Sequence, residues 1–205
     1  MKAVRTIIFA KAPVAGFAKT RLIPALGAEG SAALAGRLLR FALAEAVAAR
    51  LGPVELCVTP DADDPAWAGL GLRAAGLVWS NQGDGDLGQR MARAASSGLS
   101  QGTPVLLIGT DCPQLDRHHL RLAGAALEET DAVLTPACDG GYVLLGLTCF
   151  CPSLFADMPW STDIVEAETV RRITALEWRL TRFDRLPDVD EPSDLKWLPA
   201  GLGVV

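Results

Sequence analysis

Hydrophobic positions along the chain fall into short unbroken runs that alternate with longer, periodically broken ladders. Thr6 to Ala10 is β-branched and aromatic without polar interruption, the character of a buried strand. Comparable runs recur at Val54 to Val58, Leu77 to Trp79, Val105 to Ile108, Ala132 to Thr135, Tyr142 to Leu147 and Arg179 to Phe183. Between them lie ladders with helical spacing. Ser31 to Leu51 is rich in Ala and Leu with Arg37, Arg40, Glu45 and Arg50 interspersed, and it ends at Gly52-Pro53. Further helices are predicted from about Leu87 to Leu99, from Asp116 to Glu129, from Asp163 to Leu176, and briefly over Ser193 to Trp197. Ser31, Asp116 and either Thr162 or Asp163 stand where N-caps belong. Alternating strands and helices predict a three-layer α/β domain with a mostly parallel mixed sheet, because crossover helices cover both faces of such a sheet. No repeat, linker or low-complexity tract divides residues 1–205, so a single domain is expected.

Composition narrows the class. Half the 205 residues are hydrophobic and 21% are charged, which fits a packed globular chain. A formal net charge of -5 argues against nucleic acid as a partner, since that needs a basic face. Cys57, Cys112, Cys138, Cys149 and Cys151 are odd in number and lack paired C-x-x-C spacing, so neither a disulfide framework nor a zinc site is indicated. A reducing, cytoplasmic location fits that usage. The apolar start is broken by Lys11, too short for a signal segment, and no run approaches the ~20 residues of a membrane helix, so no membrane partner is expected.

Chemistry collects where apolar runs stop. Val105 to Ile108 ends on Gly109-Thr110-Asp111-Cys112-Pro113, a lone carboxylate at the carboxyl end of a predicted strand, where open α/β sheets bind ligands. The first run ends in Lys11-Ala12-Pro13-Val14-Ala15-Gly16-Phe17-Ala18-Lys19-Thr20-Arg21, cations around Pro and Gly that suit a phosphate cradle. An ordinary P-loop is excluded, because Pro13 and Ala18 stand where it needs glycines. Gly83-Asp84-Gly85-Asp86-Leu87-Gly88 matches a dinucleotide fingerprint, yet it comes after earlier βα elements and its aspartates would crowd a pyrophosphate; a nucleotide-contacting turn or a plain loop is preferred. A second acidic site, Asp188-Val189-Asp190-Glu191, could pair with Asp111 around Mg2+ or Mn2+, or be a solvated turn. Asp139-Gly140-Gly141-Tyr142 reads either as a plain tight turn or as one whose Asp139 and Tyr142 are polar contacts for a second substrate. Trp160-Ser161-Thr162 precedes a helix and offers an aromatic platform. No Ser-His-Asp or Cys-His nucleophile system is evident.

Taken in order, Lys11-Ala12-Pro13-x-x-Gly16-x-x-Lys19-Thr20-Arg21-Leu22, Gly85-x-x-Gly88-x-Arg90-Met91, Gly109-Thr110-Asp111-Cys112-Pro113, Asp139-Gly140-Gly141-Tyr142, Trp160-Ser161-Thr162 and Asp188-x-Asp190 resemble one family. It is the radical-SAM/selenodomain-associated transferases, small GT-A-like glycosyltransferase homologues, with a more distant similarity to 2-phospho-lactate guanylyltransferase and the molybdenum-cofactor nucleotidyltransferases. The resemblance spans nearly the whole chain. It implies a Rossmann-like nucleotide-diphospho-sugar transferase fold with the donor over the carboxyl edge of the sheet. It further implies that Lys11, Pro13, Gly16, Lys19 and Arg21 hold donor phosphates and that Gly85, Gly88 and Arg90 approach base and ribose. Asp111 and Asp190 would ligate Mg2+ or Mn2+, with Lys19, Arg21 and Asp111 as the catalytic set. Asp139, Gly140, Gly141, Tyr142, Trp160, Ser161 and Thr162 would receive a small-molecule acceptor. Asp111 is followed by Cys-Pro rather than forming the Asp-x-Asp of many glycosyltransferases. Glycosyl transfer from a nucleotide-sugar is favoured on Tyr142 and Trp160. Nucleotidyl transfer from an NTP to a phosphorylated small molecule, and a non-catalytic nucleotide-binding module, stay open.

Overall fold

The computed structural model describes residues 2–72 and 76–203. Among these residues seven strands form one sheet: β1 (Arg5–Lys11), β2 (Val54–Thr59), β3 (Val78–Asn81), β4 (Val105–Ile108), β5 (Ala132–Pro136), β6 (Tyr142–Leu147) and β7 (Leu180–Arg182). Their spatial order is β3-β2-β1-β4-β6-β5-β7. β1 pairs in parallel with β2 and β4, β2 with β3, and β5 with β7, whereas β6 runs antiparallel to both β4 and β5. The sheet is therefore mixed and mostly parallel. One consequence sets the geometry of everything that follows: the amino end of the reversed β6 lies on the same edge as the carboxyl ends of the other six strands.

Among the described residues four α-helices cover the two faces: α1 (Ile23–Ala49), α2 (Leu87–Leu99), α3 (Arg117–Ala126) and α4 (Val165–Ala175). Successive residues of β1 point to opposite faces. Ile8 joins α1 and α3 residues such as Leu39, Ala42, Leu120 and Ala123 in one core, while Ile7 joins Met91 and Ala95 of α2 and Ile173 of α4 in the other. The central strands read as unbroken apolar runs because both of their faces are buried, as β4 and β5 are at every position.

Helix starts differ from the sequence expectation in two places. The first helix begins at Ile23, not Ser31, and is broken at Gly27, whose φ of 70° and ψ of 170° interrupt the helical backbone. Ser31 is buried inside the helix and donates its hydroxyl to the Gly27 carbonyl at 2.8 Å, so it is not an N-cap. At α4 the residue in the N-cap position is Ile164, without a side-chain cap, and Thr162 instead donates to the Pro159 carbonyl. Asp116 does cap α3, accepting from the His119 amide at 2.9 Å.

The two helices on one face are tied by a buried carboxylate. Glu45 of α1 accepts from the Arg117 backbone amide at 2.7 Å and from its guanidinium at 2.8 and 2.6 Å. This satisfies an otherwise partnerless N–H in the first turn of α3 and places negative charge at the positive end of that helix. The Arg117 hydrogen bonds outweigh burial and hold the Glu45 carboxyl below its ordinary value of 4.5. Glu45→Ala is accordingly expected to lower the unfolding free energy by about 2 kcal/mol. The deficit should be full above pH 4.5 and shrink as the pH falls through the lowered native value, because there the wild-type carboxylate is itself protonated. Urea unfolding of both proteins from pH 3 to 8 measures it.

Candidate active site

Segments far apart in sequence meet where β1 and β4 end. Past β4 the chain turns through Gly109 and Thr110 to Asp111, and past β1 the loop runs to Lys19, which adopts a left-handed backbone (φ 51°, ψ 43°) ahead of a short 3-10 turn over Thr20–Leu22. That conformation costs an L-residue energy and is sustained only where the surroundings fix it. Here the surroundings are ionic. The Lys19 side chain is 6% exposed, and its ammonium lies 2.9 Å from Asp111 Oδ1 and 3.6 Å from Asp190 Oδ1. Arg21 Nη1 holds the other oxygen of Asp190 at 2.7 Å. Val189 fixes the acidic segment: its amide donates to the Asp111 carbonyl at 2.8 Å, its own carbonyl accepts from Lys19, and its side chain is buried with Leu22, Leu34 and Leu38.

Two contiguous lobes open along this edge, with Phe9, Leu87 and Gly109 lining both. The first, of about 710 Å³, carries Lys11, Lys19, Arg21 and Arg90 together with Asp111 and Asp190. The second, of about 280 Å³, carries Asp139, Tyr142, Trp160, Ser161, Thr162 and Asp188 over an apolar floor. Tyr142 and Trp160 meet edge to face with ring centroids 6.4 Å apart, and the Tyr142 hydroxyl donates toward Met91 Sδ at 3.8 Å. Tyr142 starts the reversed strand β6, which brings it to the same edge as Asp111.

Further contacts of residues singled out in the sequence shape the cleft, Asp139 and Gly141 within the lining of the second lobe and Pro13, Gly16, Gly85, Gly88 and Gly140 outside that of either. Pro13 packs toward Gly36 of α1, and Gly16 turns the loop at a φ of 75°. The Gly85 carbonyl accepts from Arg90 Nε at 2.9 Å, so this glycine orients the arginine. Gly88 lies against the Phe155 carbonyl and the Trp160 indole nitrogen, where a Cβ would stand 2.5 and 2.7 Å away. Asp86 caps α2 in a box with Gln89, so the amino end of that helix is already occupied by a carboxylate. The turn at Asp139 is held by the Gly141 amide donating to Asp139 Oδ1 at 2.8 Å. Gly140 touches the Asp163 backbone so closely that a Cβ would sit 2.2 Å from its carbonyl oxygen, and this contact brings the Trp160 loop to the turn.

Gln82 and Phe9 of the cleft have no part in the sequence expectation, and Asp188 has no role there apart from Asp190. Gln82 is buried after β3; its amide nitrogen donates to the Ala10 and Cys57 carbonyls at 3.2 and 3.0 Å, leaving its oxygen to accept from Arg90 at 3.3 Å. The signal for it was a polar residue three positions past an apolar run, the same offset at which Asp111 follows Ile108. Asp188 lies within a motif that was noted, but only the fold shows that it faces the second lobe while Asp190 faces the first. Phe9, between the lobes, carries no sequence signal. Burial pushes the Cys112 thiol up to about 12, so it is not a thiolate near neutrality despite its place beside Asp111. Burial, with the Asp139 and Asp111 charges, pushes the Asp188 carboxyl up to about 6.

Asp111 and Asp190 form a pair of partly exposed carboxylates rather than a closed cage, and among the described residues no group of three or more His, Cys, Asp or Glu side chains converges. Such a pair fits a hard divalent cation whose oxygen shell is completed by phosphate and water. The ammonium between the two carboxylates, 2.9 Å from Asp111 Oδ1 and 3.6 Å from Asp190 Oδ1, shows that positive charge is stabilised there.

The family described as an uncharacterized protein conserved in bacteria, DUF2064, matches residues 42–162. No curated protein matches the sequence significantly. Among solved structures, a candidate nucleotide-diphospho-sugar transferase from Desulfovibrio desulfuricans G20 is similar at 30% identity, with a TM-score of 0.87 over 98% of this chain and 88% of that one. The 4-diphosphocytidyl-2C-methyl-D-erythritol synthase of Anaerococcus prevotii DSM 20548 shares the fold at 12% identity, with a TM-score of 0.63 over 98% of both chains. So does Rv0371c of Mycobacterium tuberculosis H37Rv, solved in complex with manganese, at 17% identity and a TM-score of 0.52 over 96% of this chain and 98% of that one. The three-layer mixed sheet is thus the nucleotide-diphospho-sugar transferase fold. No helix among the described residues is long and apolar enough to cross a membrane.

The raised Asp188 carboxyl has a measurable cost. A carboxylate whose native value lies above its unfolded one of 3.8 destabilises the fold as the pH rises from that value through about 6. Asp188→Asn in metal-free buffer is therefore expected to be more stable than wild type at pH 7.5 by about 1 kcal/mol, discounting the shift for partial exposure. The advantage should vanish near pH 4. Thermal unfolding at the two pH values tests it, and an advantage that persists at pH 4 would contradict the electrostatic cause.

Proposed function

The chain belongs to the DUF2064 family, and from that premise we propose that it is a nucleotide-dependent transferase that moves a glycosyl group from a nucleotide-sugar to a small acceptor. The observation that carries this reading is the division of one cleft into a cation-lined lobe and an aromatic, apolar lobe that meet at Phe9, Leu87 and Gly109. A nucleotide-sugar has the same division: a diphosphate suited to Lys11, Lys19, Arg21 and Arg90, and a sugar end that can extend to the junction. The similarity to the Desulfovibrio protein supports the donor class. The narrower kinship with radical-SAM/selenodomain-associated transferases rests on the ordered motifs alone.

The mechanism follows from where charge develops. Cleaving the bond between a sugar carbon and the diphosphate leaves negative charge on the departing oxygen. Fixed cations that already point there stabilise it without reorganisation. Lys19 and Arg21 supply that charge, and Arg90, oriented by Gln82 and Gly85, holds the nucleotide side. Asp111 and Asp190 would hold a divalent metal, which when bound supplies further positive charge to the phosphates. Tyr142 and Trp160 wall the acceptor and exclude water from the junction.

Nucleotidyl transfer is the competing reading, favoured by the shared fold of the cytidylyl-type synthase. Its acceptor would be a phosphorylated molecule, yet none of the described residues lining the second lobe is a Lys, Arg or His. Assays with Mg2+ or Mn2+ separate the two. Release of nucleoside diphosphate from one nucleotide-sugar is expected, and release of pyrophosphate from an NTP with a sugar phosphate would overturn glycosyl transfer.

Two substitutions test the donor lobe. Lys19→Ala is expected to weaken nucleoside diphosphate binding by about tenfold or more while changing nucleoside binding little, because charge-assisted bonds to phosphate are what it removes. Asp111→Asn should leave the protein folded and abolish the metal-dependent part of nucleotide affinity, since a neutral amide is a poor ligand for a hard cation. Calorimetric titration with and without Mn2+ reads both. Equal losses for nucleoside and diphosphate, or an unchanged metal effect, would move these residues out of the proposed roles.

A further inference from the structure

The second lobe carries negative charge and no opposing cation in its lining. Asp139 reaches it from the turn before β6 and Asp188 from the segment after β7, and no Lys, Arg or His is among the described residues around it. Cations on neighbouring segments are committed elsewhere. Arg182 and Arg185, behind the Asp139 turn, both pair with the buried carboxylate of Glu166, and Lys19 is held by Asp111 and Asp190. The rest of the wall is apolar or aromatic, with Met91, Val143 and the edge-to-face pair of Tyr142 and Trp160.

A phosphate or carboxylate placed there would lose water, meet two like charges and find no cation. A cation gains twice, from the carboxylates and from the negative faces of aromatic rings, which attract ammonium groups within about 6 Å of the ring centre. We propose that the second lobe binds an organic cation: an acceptor carrying a protonated amine or quaternary ammonium on a compact apolar body. The volume of about 280 Å³ restricts the bound portion to a small molecule. The proposal rests on the transferase reading for the word acceptor, and it adds a physical reason for two lobes of opposite sign. An anionic donor is repelled by the second lobe and a cationic acceptor by the first, so each substrate is sorted to its side of the junction.

Three probes of nearly equal size and different charge test this: benzylamine, benzyl alcohol and benzoate. Each is titrated into the full chain without metal while NMR follows the indole N–H signal that disappears in Trp160→Phe. Benzylamine is expected to shift that signal and to bind at least about tenfold more tightly than benzyl alcohol, with benzoate the weakest. Asp139→Asn should cut benzylamine affinity by about fivefold or more and leave benzyl alcohol unchanged, as loss of a charge-assisted contact requires. Asparagine keeps the oxygen that the Gly141 amide uses, so the turn is preserved. Equal binding of the three probes, tighter binding of benzoate, no benzylamine shift at millimolar concentration, or an Asp139→Asn protein with wild-type benzylamine affinity each overturns the proposal. A nucleoside diphosphate titrated into the same sample reads the transferase proposal separately. Nucleotide binding without a preference for benzylamine sinks only the cation site, and a preference for benzylamine without nucleotide binding sinks only the donor reading.

Discussion

A buried ammonium needs compensation, and meeting that need for Lys19 organises this protein's cleft. With its side chain 6% exposed, Lys19 has given up nearly all its water and is paired with Asp111 and Asp190 and with the Val189 carbonyl. Breaking such an arrangement by removing one partner leaves charge uncompensated, which costs more than the intact pairing contributes. The three segments are therefore interdependent. The loop after β1, the end of β4 and the acidic stretch near the carboxyl end of the chain hold one another in place, and Arg21 braces the last of them through Asp190. The left-handed backbone at Lys19 belongs to the same constraint, since it aims the side chain at the two carboxylates.

The second constraint is topological. Because β6 alone is reversed, Tyr142 at its start lies beside the ends of strands that run the other way, and the turn before it opens on the same edge. Gly140 completes the arrangement, because only a residue without a Cβ lets the turn press against the Asp163 backbone and draw the Trp160 loop over the second lobe. The sheet thus supplies two walls of different chemistry from one edge: charged loops follow parallel strands, and aromatic residues flank the reversed strand.

Much of this was legible before the fold was known, and the reasons differ by element. Unbroken runs such as Val105 to Ile108 identify buried strands because both faces of the sheet are covered. Asp116 identifies a helix start because a short polar side chain at that position satisfies the first amides. The start of α1 was not legible: a break at Gly27 preserves helical periodicity on both sides, so Ser31 looked like a boundary while lying inside. The loop cations and Asp111 stood out as charge at the end of apolar runs. The division of labour between Asp188 and Asp190 did not, because it depends on Val189 being anchored by a long-range hydrogen bond and by a core of Leu22, Leu34 and Leu38. Phe9 looks like any strand residue, and only the lobes on either side of it reveal its position.

Charge balance links these observations to the proposed reaction. In the free protein Lys19 and Arg21 neutralise Asp111 and Asp190, so the first lobe is already partly satisfied. Under the proposed function, an incoming diphosphate would compete with those carboxylates for the same cations. A divalent metal at Asp111 and Asp190 would relieve the competition, because it takes over the carboxylates and leaves Lys19 and Arg21 to the phosphates. Donor and metal would then bind with positive cooperativity, each lowering the cost of the other through the shared side chains, as linkage between the two sites demands. In the proposed reaction the same exchange would run backward after transfer: a departing nucleotide would return Lys19 to Asp111, and the ion pairs of the free protein would give product release a favourable endpoint.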